Sequence, residues 1–278
     1  MLIDAHQHFW KLADRTGHWP PADLAAIHRD FGPADLQPEL DRCEVGGTVL
    51  VQSLPTLADT HYLLEIAQRS PFVRGVVGWA DLLAADASIH IAALARHPKL
   101  KGLRPMLQDI PDTQWITNPA LDPALHAMQA QGLVFDALVL PRHLPALQAM
   151  ARRHPSLTIV IDHAAKPEIA LERLEPWRAH MEALASLPQV HCKLSGLLTE
   201  AGANPSAQAL GPYVDHVLKV FGARRLIWGS DWPVLQLAAD YPGWLAIARA
   251  LCRAHPGMDD AGIAAIFGGN ARRVYHLD

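Results

Sequence analysis

The chain is short of cysteine, of excess positive charge and of long apolar runs, and each shortage removes a class of protein. Its three cysteines, Cys43, Cys192 and Cys252, lie far apart and cannot all pair, so no disulfide framework is expected and a reducing, cytoplasmic setting is. Twenty-four Lys and Arg against 28 Asp and Glu leave a formal charge of -4, which offers no basic footprint for nucleic acid and makes a small molecule the expected partner. No segment supplies the ~20 apolar residues of a membrane span, and Asp4 and His6 stand where a signal peptide would need an apolar run. No strand-to-helix turn carries GxGxxG or GxxxxGK(S/T), so the backbone cradles that hold nucleotide phosphates are absent.

What is present is core-forming material. Half of the 278 residues are hydrophobic and 19% are charged, enough to bury a large interior and to exclude disordered and fibrous classes. Short β-branched runs alternate with longer segments of helical periodicity. Strands are expected at 2–6, 46–52, 73–80, 100–104, 133–139, 158–162, 190–195 and 226–230, with helices at 58–69, 86–96, 119–130, 143–153, 175–187, 207–220 and 241–254. Eight strand-helix units in a chain of this length predict an α/β fold, a (β/α)8 TIM barrel in a single domain over 1–278, with a doubly wound open sheet as the alternative. The long connections 7–33 and 104–118 follow strand ends and belong to the catalytic face.

Four side chains at strand ends carry the chemistry. His6 and His8, spaced i and i+2, point to one side of an extended backbone at the mouth of the first strand. His163 closes the sixth strand in TIVIDH, and Asp231 follows the eighth in phase with Ile227 and Gly229. Three imidazoles and a carboxylate meeting at the C-terminal rim match the N and O donors of zinc. Each has a structural alternative: a hydrogen-bonded buried His, or a turn-forming Asp before Trp232 and Pro233.

The segments DAHQHFW, VLVQ, VVGWADL, KGLRP, VIDHAAKP, CKLSGL, WGSDWPV and the closing IFGGNARRVY occur in order from residue 2 to about 276. Together they resemble the sugar-lactonase branch of the amidohydrolase superfamily; HxH alone is unspecific, but HxH with VIDH and WGSDWPV is not. The resemblance implies a hydrolase acting on carboxylic ester bonds that opens an aldonic acid lactone, such as L-fuconolactone or a related 1,4- or 1,5-lactone, to the free acid. It assigns His6, His8, His163 and Asp231 as metal ligands, and Asp231 and His163 as catalytic. The chain departs from branches with a second metal, because no His ends the fifth strand and Lys101 is out of phase with Arg104. One divalent metal, zinc by its donor set, is therefore implied; the branch also includes lactonases that work without metal, where imidazoles would stabilise the oxyanion instead.

For substrate contacts the sequence offers Arg104, Gln52, Asp81 and Lys166 as polar groups near strand ends, and Trp10, Trp79 and Trp232 as flat faces for a sugar ring, each equally explicable as a loop anchor or packing. Lys193 fits either phase of its strand. Asp4 shares the phase of His6 and His8 and, like Asp136, reads as a supporting hydrogen-bonder; Asn270 is expected to cap the last helix. Two other readings stay open: a dicarboxylated lactone, which would require Arg15, Arg29, Arg104 and Arg142 to converge, and a non-hydrolytic decarboxylase on the same scaffold. Nothing in the sequence specifies an oligomeric state.

Overall fold

The computed structural model describes residues 1–15, 19–203 and 205–278. Eight parallel strands lie side by side in chain order: β1 Leu2–Gln7, β2 Val45–Val51, β3 Val73–Gly78, β4 Leu100–Leu103, β5 Val134–Ala137, β6 Ile159–Ile161, β7 Val190–Leu194 and β8 Leu226–Trp228. Around them run α1 Pro33–Cys43, α2 Leu57–Arg69, α3 Ala87–Leu94, α4 Asp122–Ala130, α5 Leu144–Arg153, α6 Trp177–Ala185, α7 Leu197–Glu200, α8 Ala207–Phe221, α9 Tyr241–Ala254, α10 Asp260–Ala264 and α11 Asn270–Val274. This is the TIM barrel expected from the strand count, and the open-sheet alternative falls. The seam between first and last strands closes just beyond β8: Asp231 N donates to His6 O and His8 N donates to Trp232 O, both at 2.8 Å.

The barrel interior is filled by Ile3, Val49, Val51, Val77, Val134, Val160 and Ile227, with Val274, Tyr275 and Leu277 of the C-terminal segment packed against them. A second and larger apolar layer lies between sheet and helices, where Trp177, Trp228 and Trp244 are fully buried. Helix starts follow side-chain chemistry: Thr56, Ser206, Asp240 and Asp259 each accept a hydrogen bond from a first-turn backbone N–H of α2, α8, α9 and α10. No helix among the described residues is long and apolar enough to cross a membrane.

Three local expectations need correction. Strands six and eight are shorter than 158–162 and 226–230, because Asp162 opens a tight turn and extended pairing on β8 stops at Trp228. Helix α1 was hidden by its prolines: Pro33 sits at the start, where its missing N–H is harmless, and Pro38 lies inside. Asn270 does not cap the last helix; its side-chain amide donates to Ala223 O and Leu226 O at 2.7 Å, tying the C-terminus to the start of β8.

Candidate active site

The backbone bonds that close the barrel also assemble the site. By joining His6 and His8 to the 231–232 peptide, they fix Asp231 between the two imidazoles. A bulge in β1 makes this fit, since three steps from Asp4 to Gln7 oppose two from Thr48 to Leu50. The extra residue takes Asp4 out of the phase expected for it: Asp4 accepts from Ser230 N at 2.8 Å, Ser230 Oγ at 2.6 Å and Tyr241 Oη at 2.9 Å, while His6 turns inward. Gly229 makes room for His6 itself rather than for a ligand, because a Cβ there would fall 2.7 Å from the His6 Cβ.

Both other members sit on left-handed backbone. His163 has φ 52° and opens a run through Ala164, Ala165 and Lys166 with φ between 48° and 63°; Asp231 has φ 61°. For L-residues this conformation costs about 1–2 kcal/mol each, so surrounding packing must impose it. The turn swings His163 over the rim, with its Nδ1 2.9 Å from Ser195 Oγ. Gly196, at φ 64°, leaves the space the ring occupies, since a Cβ there would lie 2.5 Å from His163 Nδ1.

The imidazoles converge on one oxygen. Asp231 Oδ1 lies 3.3 Å from His8 Nε2, 3.7 Å from His6 Nε2 and 3.9 Å from His163 Nε2. His6, His163 and Asp231 offer ligand atoms all within 4.8 Å of one another. His8 stands beside this trio, its Nδ1 2.7 Å from Val51 O. That nitrogen must donate to the carbonyl, so Nε2 turns a lone pair toward the Asp231 carboxylate. Two acceptors this close attract only with a proton or a cation between them, and the donor set therefore fits a divalent metal. Burial lowers His6 well below the ordinary value and lowers His8, and it brings His163 down to about 4 against the pull of Asp231. All three are neutral near pH 7, as ligation requires. Burial pushes Asp231 up, but the charge that His163 carries once protonated outweighs it and holds the carboxyl below its ordinary range.

Beneath lies a buried ionic floor that sequence reasoning only partly found. Lys193 faces inward, fully buried, paired with Asp136 and 3.0 Å from Asp162 Oδ1, with its Nζ 3.2 Å from His6 Nδ1. Asp162 was overlooked, although alternation from Val160 puts it, rather than His163, in the inward phase. Its Oδ2 takes the Arg104 guanidinium at 3.2 Å. Burial would raise the Asp162 carboxyl, yet Lys193, His6 and Arg104 hold it well below the usual value.

A cleft of about 260 Å³ opens over Asp231, His8, His163, Arg104 and Lys166. Its walls add Trp19, Ser53, Met106, Gln108, Thr199 and Glu200, none of them singled out from sequence because all lie in connecting segments without motifs. The other expected contacts do not line it. Gln52 is fully buried and donates from Nε2 to Arg104 O at 2.6 Å, while Arg104 donates to its carbonyl, so Gln52 positions the arginine. Asp81 is an exposed loop anchor accepting from Leu83 N at 3.0 Å. Trp10 packs edge-on against Trp19 and Phe31, Trp232 packs against Phe9 and Phe31, and Trp79 is held by backbone bonds to Thr60 Oγ1. Of the four arginines only Arg104 lines the cleft: Arg15 and Arg142 stand behind its wall, bound to Ser53 Oγ and Trp19 O and to Gln108 O, and Arg29 pairs with Asp35.

Fold and site together define a (β/α)8 barrel with a histidine and carboxylate cluster at its C-terminal mouth. The chain belongs to the amidohydrolase family, whose profile matches residues 3–277. It is 58% identical, over 99% of its length and 96% of the relative's, to an L-fucono-1,5-lactonase of Burkholderia ambifaria. An L-fucono-1,5-lactonase of Burkholderia multivorans is 36% identical over 100% of this chain and 96% of its own. The crystal structure of a Burkholderia multivorans amidohydrolase with bound zinc superposes at a TM-score of 0.93 with 36% identity, covering both chains fully.

Proposed function

We propose that this protein, one barrel domain over 1–278, hydrolyses a sugar lactone, with L-fucono-1,5-lactone as the first candidate substrate. The observation that carries the reading is the convergence of three neutral imidazoles on Asp231 at the floor of a cleft lined by a single arginine, Arg104, already paired with Asp162. A dicarboxylated lactone would need several arginines there, and Arg15, Arg29 and Arg142 are engaged elsewhere. The likeness to two L-fucono-1,5-lactonases supports the substrate.

Ring opening needs polarisation of the carbonyl, an attacking water and a proton for the departing alkoxide. Asp231, ionised at neutral pH, takes the water proton and returns it to the ring oxygen. His163 is held through Ser195 and His8 through Val51 O, while the bond from Asp231 N to His6 O fixes the position of the carboxylate. Arg104 and Lys166, both lining the cleft, donate to the carbonyl or to ring hydroxyls. A zinc ion held by His6, His163 and Asp231, with His8 adjoining, would supply Lewis acidity at the carbonyl and at water. Without metal, the imidazoles perform the same electrostatic task more weakly. The three unpaired cysteines suit a reducing compartment, and we assign the activity to the cytoplasm.

The test is a pH-indicator assay against a panel of 1,4- and 1,5-aldonolactones, before and after chelation and zinc repletion. Acid release from L-fucono-1,5-lactone is expected; inertness toward every sugar lactone rejects the reading. In Asp231→Asn, kcat should fall by about 10²–10⁴-fold with the circular dichroism spectrum unchanged. Bound metal measured in His6→Ala should drop; undiminished metal would move the ion elsewhere.

A further inference from the structure

Glu200 ends α7, the short helix after β7, and its side chain lines the cleft half-buried, within charge reach of Asp231 and Lys166. Among the described residues it takes part in no hydrogen bond and no salt bridge. The acids around it behave otherwise: Asp162 and Asp136 are pinned by Lys193 and Arg104, and Asp231 is ringed by histidines. A partly desolvated carboxylate without a protein partner, facing the space where the substrate sits, is free to bind the ligand.

The charge of the cleft says which ligand. Arg104 is matched by Asp162 at 3.2 Å, which leaves Lys166, whose charge acts on Glu200 from beyond ion-pair distance, against Glu200, Asp231 and Asp109. A lactone bearing a second carboxylate therefore meets the Glu200 and Asp109 carboxylates, whether or not a metal matches the charge of Asp231. A neutral polyhydroxylated ring offers only hydroxyl donors, which an ionised carboxylate accepts in strong charge-assisted bonds. Thr199, the preceding residue, adds a hydroxyl to the same wall.

We propose that Glu200 determines substrate specificity: its carboxylate receives hydrogen bonds from the hydroxyls of a neutral sugar lactone, and its charge excludes lactones that carry another carboxylate. The inference rests on the lactonase reading and deepens it. Glu200 contributes ground-state and transition-state binding alike, so its loss acts on KM more than on kcat.

The experiment measures kcat and KM of the wild type, Glu200→Gln and Glu200→Asp on three substrates: L-fucono-1,5-lactone, the unsubstituted six-membered δ-valerolactone, and an aldaric acid lactone that retains a free carboxylate. Glu200→Gln should lose about 10- to 100-fold in kcat/KM on the sugar lactone through KM, change δ-valerolactone less than about twofold, and raise the relative rate on the aldaric lactone at least tenfold. Glu200→Asp keeps the charge and should still exclude the aldaric lactone. Unchanged ratios in Glu200→Gln, or an equal loss on all three substrates, overturn the inference while leaving the lactonase reading intact. A wild type that opens the aldaric lactone and no neutral sugar lactone overturns both.

Discussion

His163 and Asp231 occupy left-handed backbone, which Asp and His enter more readily than most residues yet still at a cost, and both are held there by contacts that their neighbours supply. The HxH and WGSDWP patterns revealed which residue types gather, and alternation correctly turned Asp231 inward. It could not reveal that His163 reaches the site through a turn that reverses its strand phase, although the same alternation from Val160 points Asp162 inward beneath it. Burial also shapes titration away from the site. His191 in β7 is brought from 6.5 to about 4 by burial, with Arg273 and Arg225 adding to the effect against a hydrogen bond to Gln189 O. The unfolded chain takes up this proton near pH 6.5 and the folded chain only near 4, so stability present at pH 7 is lost as pH falls through that window. Urea unfolding should therefore show the wild type losing about 2 kcal/mol more than His191→Gln between pH 7 and pH 5. Equal losses would remove His191 as a cause. Asp4 opposes this trend, since burial raises it to about 6 and its ionisation weakens the fold as pH rises from 3.8.

Two glycines at strand ends show how an element's shape sets the site. A methyl at Gly229 would meet the His6 Cβ at 2.7 Å and its backbone N at 3.0 Å, inside a seam where both strands are hydrogen-bonded. Gly229→Ala should reduce stability by about 1–3 kcal/mol and lower kcat with it, because His6 has no free space to yield into. A crystal structure of the variant should show His6 displaced from Asp231; an undisturbed His6 would contradict the packing argument. Gly196→Ala faces a second penalty from its φ of 64° and should disturb His163 instead. Most elements were legible as βα alternation. The bulge in β1 was not, because nothing in LIDAHQ marks the extra residue, and it is the register against β2 that exposes it.

Across the molecule, the Lys193 floor ties distant strands together. Lys193 of β7 joins Asp136 of β5, Asp162 after β6 and His6 of β1, and Tyr275 near the C-terminus donates to Asp136 at 2.9 Å. Removing the cation leaves buried Asp136 without its charge partner and Asp162 with Arg104 alone, so Lys193→Met should cost about 3–5 kcal/mol in denaturant unfolding. Tyr275→Phe removes one donor while the ion pair persists and should cost about 1–2 kcal/mol. A Lys193→Met loss no larger than that of Tyr275→Phe would show the network to be solvated rather than buried.

The sequence by itself determined the alternation of eight short apolar runs with amphipathic segments, and with it the barrel; it also determined that three histidines and an aspartate stand at strand ends. These are local properties, read from period and position along one strand at a time. Only the tertiary structure decided which side chains enter the cleft. Trp10 and Trp232 pack beneath connecting segments, Gln52 serves Arg104, and Glu200 arrives from the short helix α7, because each outcome depends on register, on closure of the last strand against the first, and on backbone turns that overrule strand phase.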